Sequence, residues 1–194
     1  MLFRSIGVDT LSKITNWEDR TTCVLFGDGA GAAVIGADEG DSGILAVYAA
    51  SDGSRAGILK VPGGGSRNPI SQQVLEDKSY TIQMDGPEVY KLAVTKMVEA
   101  SQKALAMAGV KAEDLKLIIP HQANLRIIES VAKRLDVPED RVFVNVQKYG
   151  NMSAATTIIA LDEAQRGGRI KRGDLVELVA FGAGLTWGAA VIRW

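Results

Sequence analysis

Short apolar runs that stop at glycine or proline alternate along this chain with segments of helical periodicity, and that alternation restricts it to an α/β layer architecture. Leu117-Ile-Ile119 stops at Pro120, whose ring biases the preceding residue to an extended backbone. Leu175 to Ala180 stops at Phe181-Gly-Ala-Gly184, and Thr186 to Arg193 closes the chain as a second strand. Between such runs, Pro87 to Ala108 places Tyr90, Val94, Met97, Ala104 and Ala108 on one helical face, and Gly109 sits where a helix-ending glycine belongs. Leu125 to Leu135 and Ser153 to Ala164 read as further helices.

The remaining elements follow from the same rules. Thr22 to Phe26 reads as a buried strand, Gly27-Asp-Gly-Ala-Gly31 as a tight turn, and Ala32 to Ile35 as the returning strand. Ile44 to Ala50 and Val142 to Val144 are also strands. Residues 51 to 80 are rich in Gly, Ser and Pro and predict a long irregular excursion, a length that usually covers a site or is mobile. The expected result is a mixed central sheet with helices on its faces. Sites in such folds gather where strands end, so the loops after Ile119 and Val146 and the turn after Ala180 are the places to look.

Composition removes several function classes. Net charge of −1 over 194 residues argues against nucleic acid or an anionic membrane as partner. One Cys and one His make neither an internal disulfide nor a usual structural zinc site, so no metal or other cofactor is expected. The longest uncharged stretch, Leu178 to Ile192, is too short and too interrupted by glycine to span a bilayer. No signal-peptide layout opens the chain, and a reducing cytoplasmic setting is expected.

Two polar residues at strand or helix ends could carry chemistry. His121, the only histidine, leaves the end of a strand; it is either a hydrogen-bonded structural residue or a group that donates or moves a proton. Asn151, in Tyr149-Gly-Asn-Met-Ser153, stands before a helix and reads as its N-cap, as an amide donor for a developing oxyanion, or as both. Cys23 lies inside the expected strand 22–26, without the electropositive turn that activates a thiol, and reads as a buried structural cysteine.

Pro120-His-Gln-Ala-Asn-Leu-Arg126, then Gly150-Asn151, then Phe181-Gly-Ala-Gly-Leu-Thr-Trp-Gly188 closely resemble the β-ketoacyl-ACP synthase III family of the thiolase superfamily, in order. Asp19-Arg20 and Leu25-Phe-Gly-Asp-Gly-Ala-Gly-Ala32 extend the likeness, which runs from about Ile6 to Trp194. The resemblance implies the C-terminal half of a thiolase-like α/β fold and a Cys-His-Asn triad. An acyl-CoA acylates the Cys; malonyl-ACP then loses CO2, and its enolate attacks the acyl group in a decarboxylating Claisen condensation that initiates fatty-acid synthesis. His121 and Asn151 take the donor roles. Phe181 matches a phenylalanine beside the nucleophile, where a core aromatic is the other reading. Ala183 matches a backbone donor to the acyl oxyanion, Asn124 a pantetheine contact that could equally cap its helix, Arg20 a position near the CoA nucleotide, and Arg126 a contact to acyl carrier protein. Both arginines could equally be solvated surface residues. The full-length parent is expected to be a homodimer.

The nucleophilic Cys has no counterpart in these residues, so the chain is expected to be inactive by itself. Residues 6–50 then represent a remnant of the N-terminal thiolase half, 51–80 a connecting loop and 81–194 the C-terminal domain. Residues 1–5 are expected to be a non-native N-terminus: Leu-Phe-Arg-Ser is what a common sequencing-adapter end encodes, and Arg4 would sit unpaired in a core strand. The rival expectations are a non-catalytic acyl-CoA or carrier-protein binding subunit, and a different acyl-condensing enzyme of the thiolase fold.

Overall fold

A computed structural model describes residues 2–194. In chain order its strands and α-helices are β1 (Leu2–Thr10), β2 (Asp28–Gly36), β3 (Gly43–Ser51), β4 (Leu59–Lys60), α1 (Gln72–Glu76), β5 (Gln83–Met84), α2 (Gly86–Ala108), β6 (Leu117–Pro120), α3 (Leu125–Arg134), α4 (Val146–Tyr149), α5 (Thr156–Arg166), β7 (Leu175–Gly182) and β8 (Thr186–Arg193). Four strands form the central sheet in the order β3-β8-β7-β6, with β6 parallel to β7 and the other pairs antiparallel. This is the expected mixed sheet. Every residue of β6 is buried, as a strand covered on both faces must be.

One face packs against α2 through Val94, Met97 and Ala104, with Val179, Phe181 and Val191 opposite. Asp85 caps α2 by accepting from the Glu88 N–H at 3.2 Å, and Gly109 ends it in the left-handed region at φ +66°. The other face packs Leu117, Ile119 and Val176 against Ala160 and Ala164 of α5. Beyond α5 lies the antiparallel ribbon of β1 and β2. Gly29 and Gly31 let that ribbon approach the helix: a Cβ on Gly29 would stand 2.3 Å from the Met152 sulfur, and one on Gly31 would stand 2.9 Å from Ile158.

Four expectations need correction. Residues 20–25 form turns, not a strand, because the Asp19 carboxylate draws in the Thr21 N–H (2.9 Å) and the hydroxyls of Thr21 and Thr22 (2.7 Å each). Cys23 therefore lies half-buried in a turn. The Gly27–Gly31 stretch is mostly strand β2, its glycines serving helix approach rather than reversal. Val142–Val144 contributes only a single bridge from Val142 to Ile118, since the backbone beyond bonds to the Gln122 side chain. Arg4 is exposed on β1 rather than buried in a core. Of the five residues expected to be non-native, Met1 lies outside the described residues, and the other four pair with β2. Residues 51–80 do run irregularly, with a 3-10 turn over Gly53–Ile58 and the short α1.

Candidate functional site

Because β6 and β7 run parallel, their C-terminal ends open on the same side of the sheet. His121 leaves β6 there, its N–H donating to the Val179 carbonyl of β7 at 2.7 Å, while β7 itself runs on to Ala180, Phe181 and Ala183. A cavity of about 500 Å³ occupies this end of the fold. His121, Asn151, Phe181 and Ala183 all line it, with Leu11, Ile14, Phe26, Leu59 and Ile82 among its apolar walls. Lys60 is the only charged side chain lining it among the described residues, and no carboxylate does.

Asn151 is held through its backbone. Its N–H donates to the Leu25 carbonyl at 2.8 Å and its carbonyl accepts from the Gly27 N–H at 3.0 Å. Two glycines permit this close pass. A Cβ on Gly27 would lie 1.9 Å from the Tyr149 carbonyl oxygen; Gly150 sits at φ +69°, where a Cβ would lie 3.0 Å from the Leu25 oxygen. Among the described residues Asn151 bonds only through its backbone, which leaves its carboxamide without a protein partner. It is not the cap of the following helix, as one sequence reading had it: α5 begins only at Thr156.

That capping work falls to Asp9 of β1, which the sequence did not single out. Its buried carboxylate accepts from the Ser153 N–H (2.9 Å) and the Ala155 N–H (2.7 Å), closing the turn after Asn151 from 144 to 146 residues away. Only a fold that brings β1 beside residues 153–155 reveals it. Asp9 is also the anion nearest in effect to His121. The imidazole keeps some surface at the cavity, yet the side chains packed around it push its pKa down to about 4, with the Asp9 charge working weakly in the opposite direction. At neutral pH the ring is uncharged and offers one N–H donor.

Phe181 is 6% exposed and belongs to the α2-side core while also lining the cavity, so both of its readings are compatible. Ala183 stands exposed in the turn after β7. Three candidates do not line the cavity. Asn124 caps α3, its side-chain Oδ1 accepting from the Ile127 N–H at 3.0 Å. Arg126 is exposed on the first turn of α3, its guanidinium 5.9 Å from the Tyr90 ring centre. Arg20 is exposed in the turns that follow Asp19. Cys23 does not line the cavity either. Two neutral donors at the rim of an apolar, carboxylate-free space are suited to holding an oxygen on which negative charge develops, and one such donor is worth roughly 3 kcal/mol of barrier.

A mixed sheet with helices on both faces, a histidine at the end of one parallel strand and an asparagine in the loop after α4 on the same cavity, makes an α/β protein of the thiolase-like class to which the solved structures below belong. The model described as 3-oxoacyl-[acyl-carrier-protein (ACP)] synthase III C terminal matches residues 105–194, and the companion 3-oxoacyl-[acyl-carrier-protein (ACP)] synthase III model matches residues 5–53. Among curated proteins, the β-ketoacyl-[acyl-carrier-protein] synthases III of Caldanaerobacter subterraneus and Clostridioides difficile are each 54% identical over 189 residues, 97% of this chain and 57% of the relative. The crystal structure of 3-oxoacyl-[acyl-carrier-protein] synthase III from Aquifex aeolicus superposes with a TM-score of 0.90 at 46% identity, covering 100% of this chain and 58% of that one. The chain belongs to the β-ketoacyl-ACP synthase III family, whose C-terminal portion it represents. It spans a little over half the length of these relatives.

Proposed function

We propose that this chain supplies the decarboxylating and carbonyl-holding part of a synthase that condenses an acyl-CoA with malonyl-ACP. In this reading an acyl group first passes from CoA to a cysteine thiolate, releasing the CoA thiol. The C–CO2 bond of the malonyl thioester then breaks, its electron pair moving into an enolate. The His121 N–H and the Asn151 carboxamide N–H hold the enolate oxygen. The enolate carbon attacks the acyl thioester, the cysteine thiolate leaves, and 3-ketoacyl-ACP results. Phe181 presents an apolar face to the malonyl carboxylate, favouring its loss, and the Ala183 N–H faces the acyl oxygen. Arg20 reaches the CoA nucleotide, Asn124 the pantetheine arm and Arg126 the carrier protein, in a cytoplasmic homodimer. The observation that supports this reading best is the joint presence, among the described residues, of a neutral imidazole and an unpartnered carboxamide on one cavity that no carboxylate lines.

No thiol lines that cavity among the described residues. We therefore expect the 194 residues alone to be inactive in condensation. The exposed apolar side chains of Phe3, Ile6 and Val8 on β1, and of Ile44 and Val47 on β3, favour a further portion of protein covering these strands. The test joins residues 6–194 to the N-terminal portion of the Caldanaerobacter relative and assays 3-ketoacyl-ACP formation from acetyl-CoA and malonyl-ACP. Activity with malonyl-ACP supports the proposal; activity only with acetyl-CoA as donor defeats it. The missing thiol also favours a second reading, a non-catalytic acyl-CoA or carrier-protein binding subunit. Tight binding of acyl-CoA by the 194-residue chain, with no turnover in the joined protein, would favour that one.

A further inference from the structure

Gln122 follows the candidate histidine directly, yet it turns away from the cavity and is completely buried. A buried carboxamide can make four hydrogen bonds, two as donor and two as acceptor. Gln122 makes all four. Its Nε2 donates to the Pro120 carbonyl at 2.8 Å and to the Phe143 carbonyl at 3.1 Å. Its Oε1 accepts from the Asn145 N–H at 2.8 Å and the Val146 N–H at 3.2 Å. Its own backbone N–H donates to Thr156 Oγ1, itself buried, at 2.9 Å.

These five bonds gather three segments on one side chain and its backbone, alongside the bond from the Phe143 N–H to the Ile118 carbonyl and those from Asn145 and Tyr149 to Glu163 of α5. The first is the end of β6, which carries His121. The second is residues 143–146, which open α4 and lead through Gly150 to Asn151. The third is the first residue of α5, which follows the Asn151 turn. We infer that Gln122 is the positioning residue that fixes the location of His121 relative to Asn151. The inference rests on the reading that those two residues act together on one oxygen. No similar-sized side chain can replace it: Met offers no bonds, and Glu sets a carboxylate against the two carbonyls that Nε2 now satisfies.

The test uses the fact that His121 is the only histidine of the chain, so its ring signals in NMR need no separation from others. In the 194-residue chain the imidazole should titrate with a midpoint near pH 4, where burial holds it, and the Asn151 side-chain amide should give one pair of resonances. In Gln122→Met the packing that desolvates the imidazole loosens, and the midpoint rises by about half a pH unit or more towards the unperturbed value. The Asn151 amide resonances move in the same variant. Thr156→Val removes only the bond to the Gln122 N–H and shifts both signals in the same direction by less; it decides the matter should Gln122→Met fail to fold. A lowered melting temperature with the His121 titration and the Asn151 amide both superimposable on wild type would overturn the inference, leaving Gln122 a merely stabilising residue. Neither readout involves condensation, so failure here is distinct from failure of the proposed reaction, which the joined-protein assay decides.

Discussion

Glu177 on β7 is fully buried, and neither of its carboxyl oxygens has a hydrogen-bond partner among the described residues. Burial pushes its pKa up from 4.5 to about 7; the Ser101 hydroxyl of α2 offsets this in part, although it stops short of a formed hydrogen bond. Because the folded pKa lies above the unfolded one, this group's contribution to stability is complete below pH 4.5 and is lost as pH rises to 7. At about 1.4 kcal/mol per pH unit, the loss is about 3 kcal/mol. His121 behaves in the opposite sense. Its folded pKa of about 4 lies below the ordinary 6.5, so its contribution is complete above pH 6.5 and lost as pH falls towards 4, again by about 3 kcal/mol. Between pH 4.5 and 6.5 the two slopes cancel. Glu177→Leu, which fills the same space without a charge, leaves the histidine slope alone. Urea unfolding followed by tryptophan fluorescence should therefore show the variant gaining about 3 kcal/mol over wild type on going from pH 4.5 to pH 7 and above. For a chain of this size that corresponds to roughly 6–12 °C in Tm at the alkaline end. Parallel pH–stability curves for wild type and Glu177→Leu would refute the reasoning.

Three further outcomes follow from the site. Gly27→Ala drives a methyl group against the Tyr149 carbonyl and should cost about 1–3 kcal/mol in unfolding experiments; it should also displace Asn151, lowering kcat of the joined protein. Asp9→Asn removes the one anion that raises the His121 pKa, so the NMR midpoint should fall below about 4; an unchanged midpoint would show that the charge does not reach the ring. His121→Ala and Asn151→Ala in the joined protein should each lower condensation by about 100-fold or more while sparing acyl transfer from CoA, measured as release of the CoA thiol.

The parts of this fold that could be read from sequence are those in which local pattern and tertiary packing agree. β6, β7 and β8 are bounded by proline or glycine and meet their expected limits to within two residues. So does α2, whose cap glycine stands where its φ requires one. The misreadings arise where a distant or side-chain partner replaces the local one. Val24, Leu25 and Phe26 carry the apolar run of a strand, but Asp19 claims the neighbouring amide and hydroxyl groups. Val142–Val144 has strand composition, but Gln122 takes the hydrogen bonds a ladder would use. Asn151 has the chemistry of a cap, but Asp9 supplies the cap from another strand. His121 and Asn151 were legible as candidates because each stands where a readable element ends or begins, whereas Phe181 and Ala183 follow from the family resemblance of the turn that holds them. Asp9 and Gln122 were not, since nothing in their immediate neighbours signals the partners they meet.

A crystal structure of the joined protein with a non-hydrolysable malonyl thioester analogue addresses the shared-oxygen claim directly. The account predicts one thioester oxygen within about 3.2 Å of both a His121 ring nitrogen and the Asn151 amide nitrogen. An oxygen bound to one of them alone, or a thioester seated away from both, would contradict it.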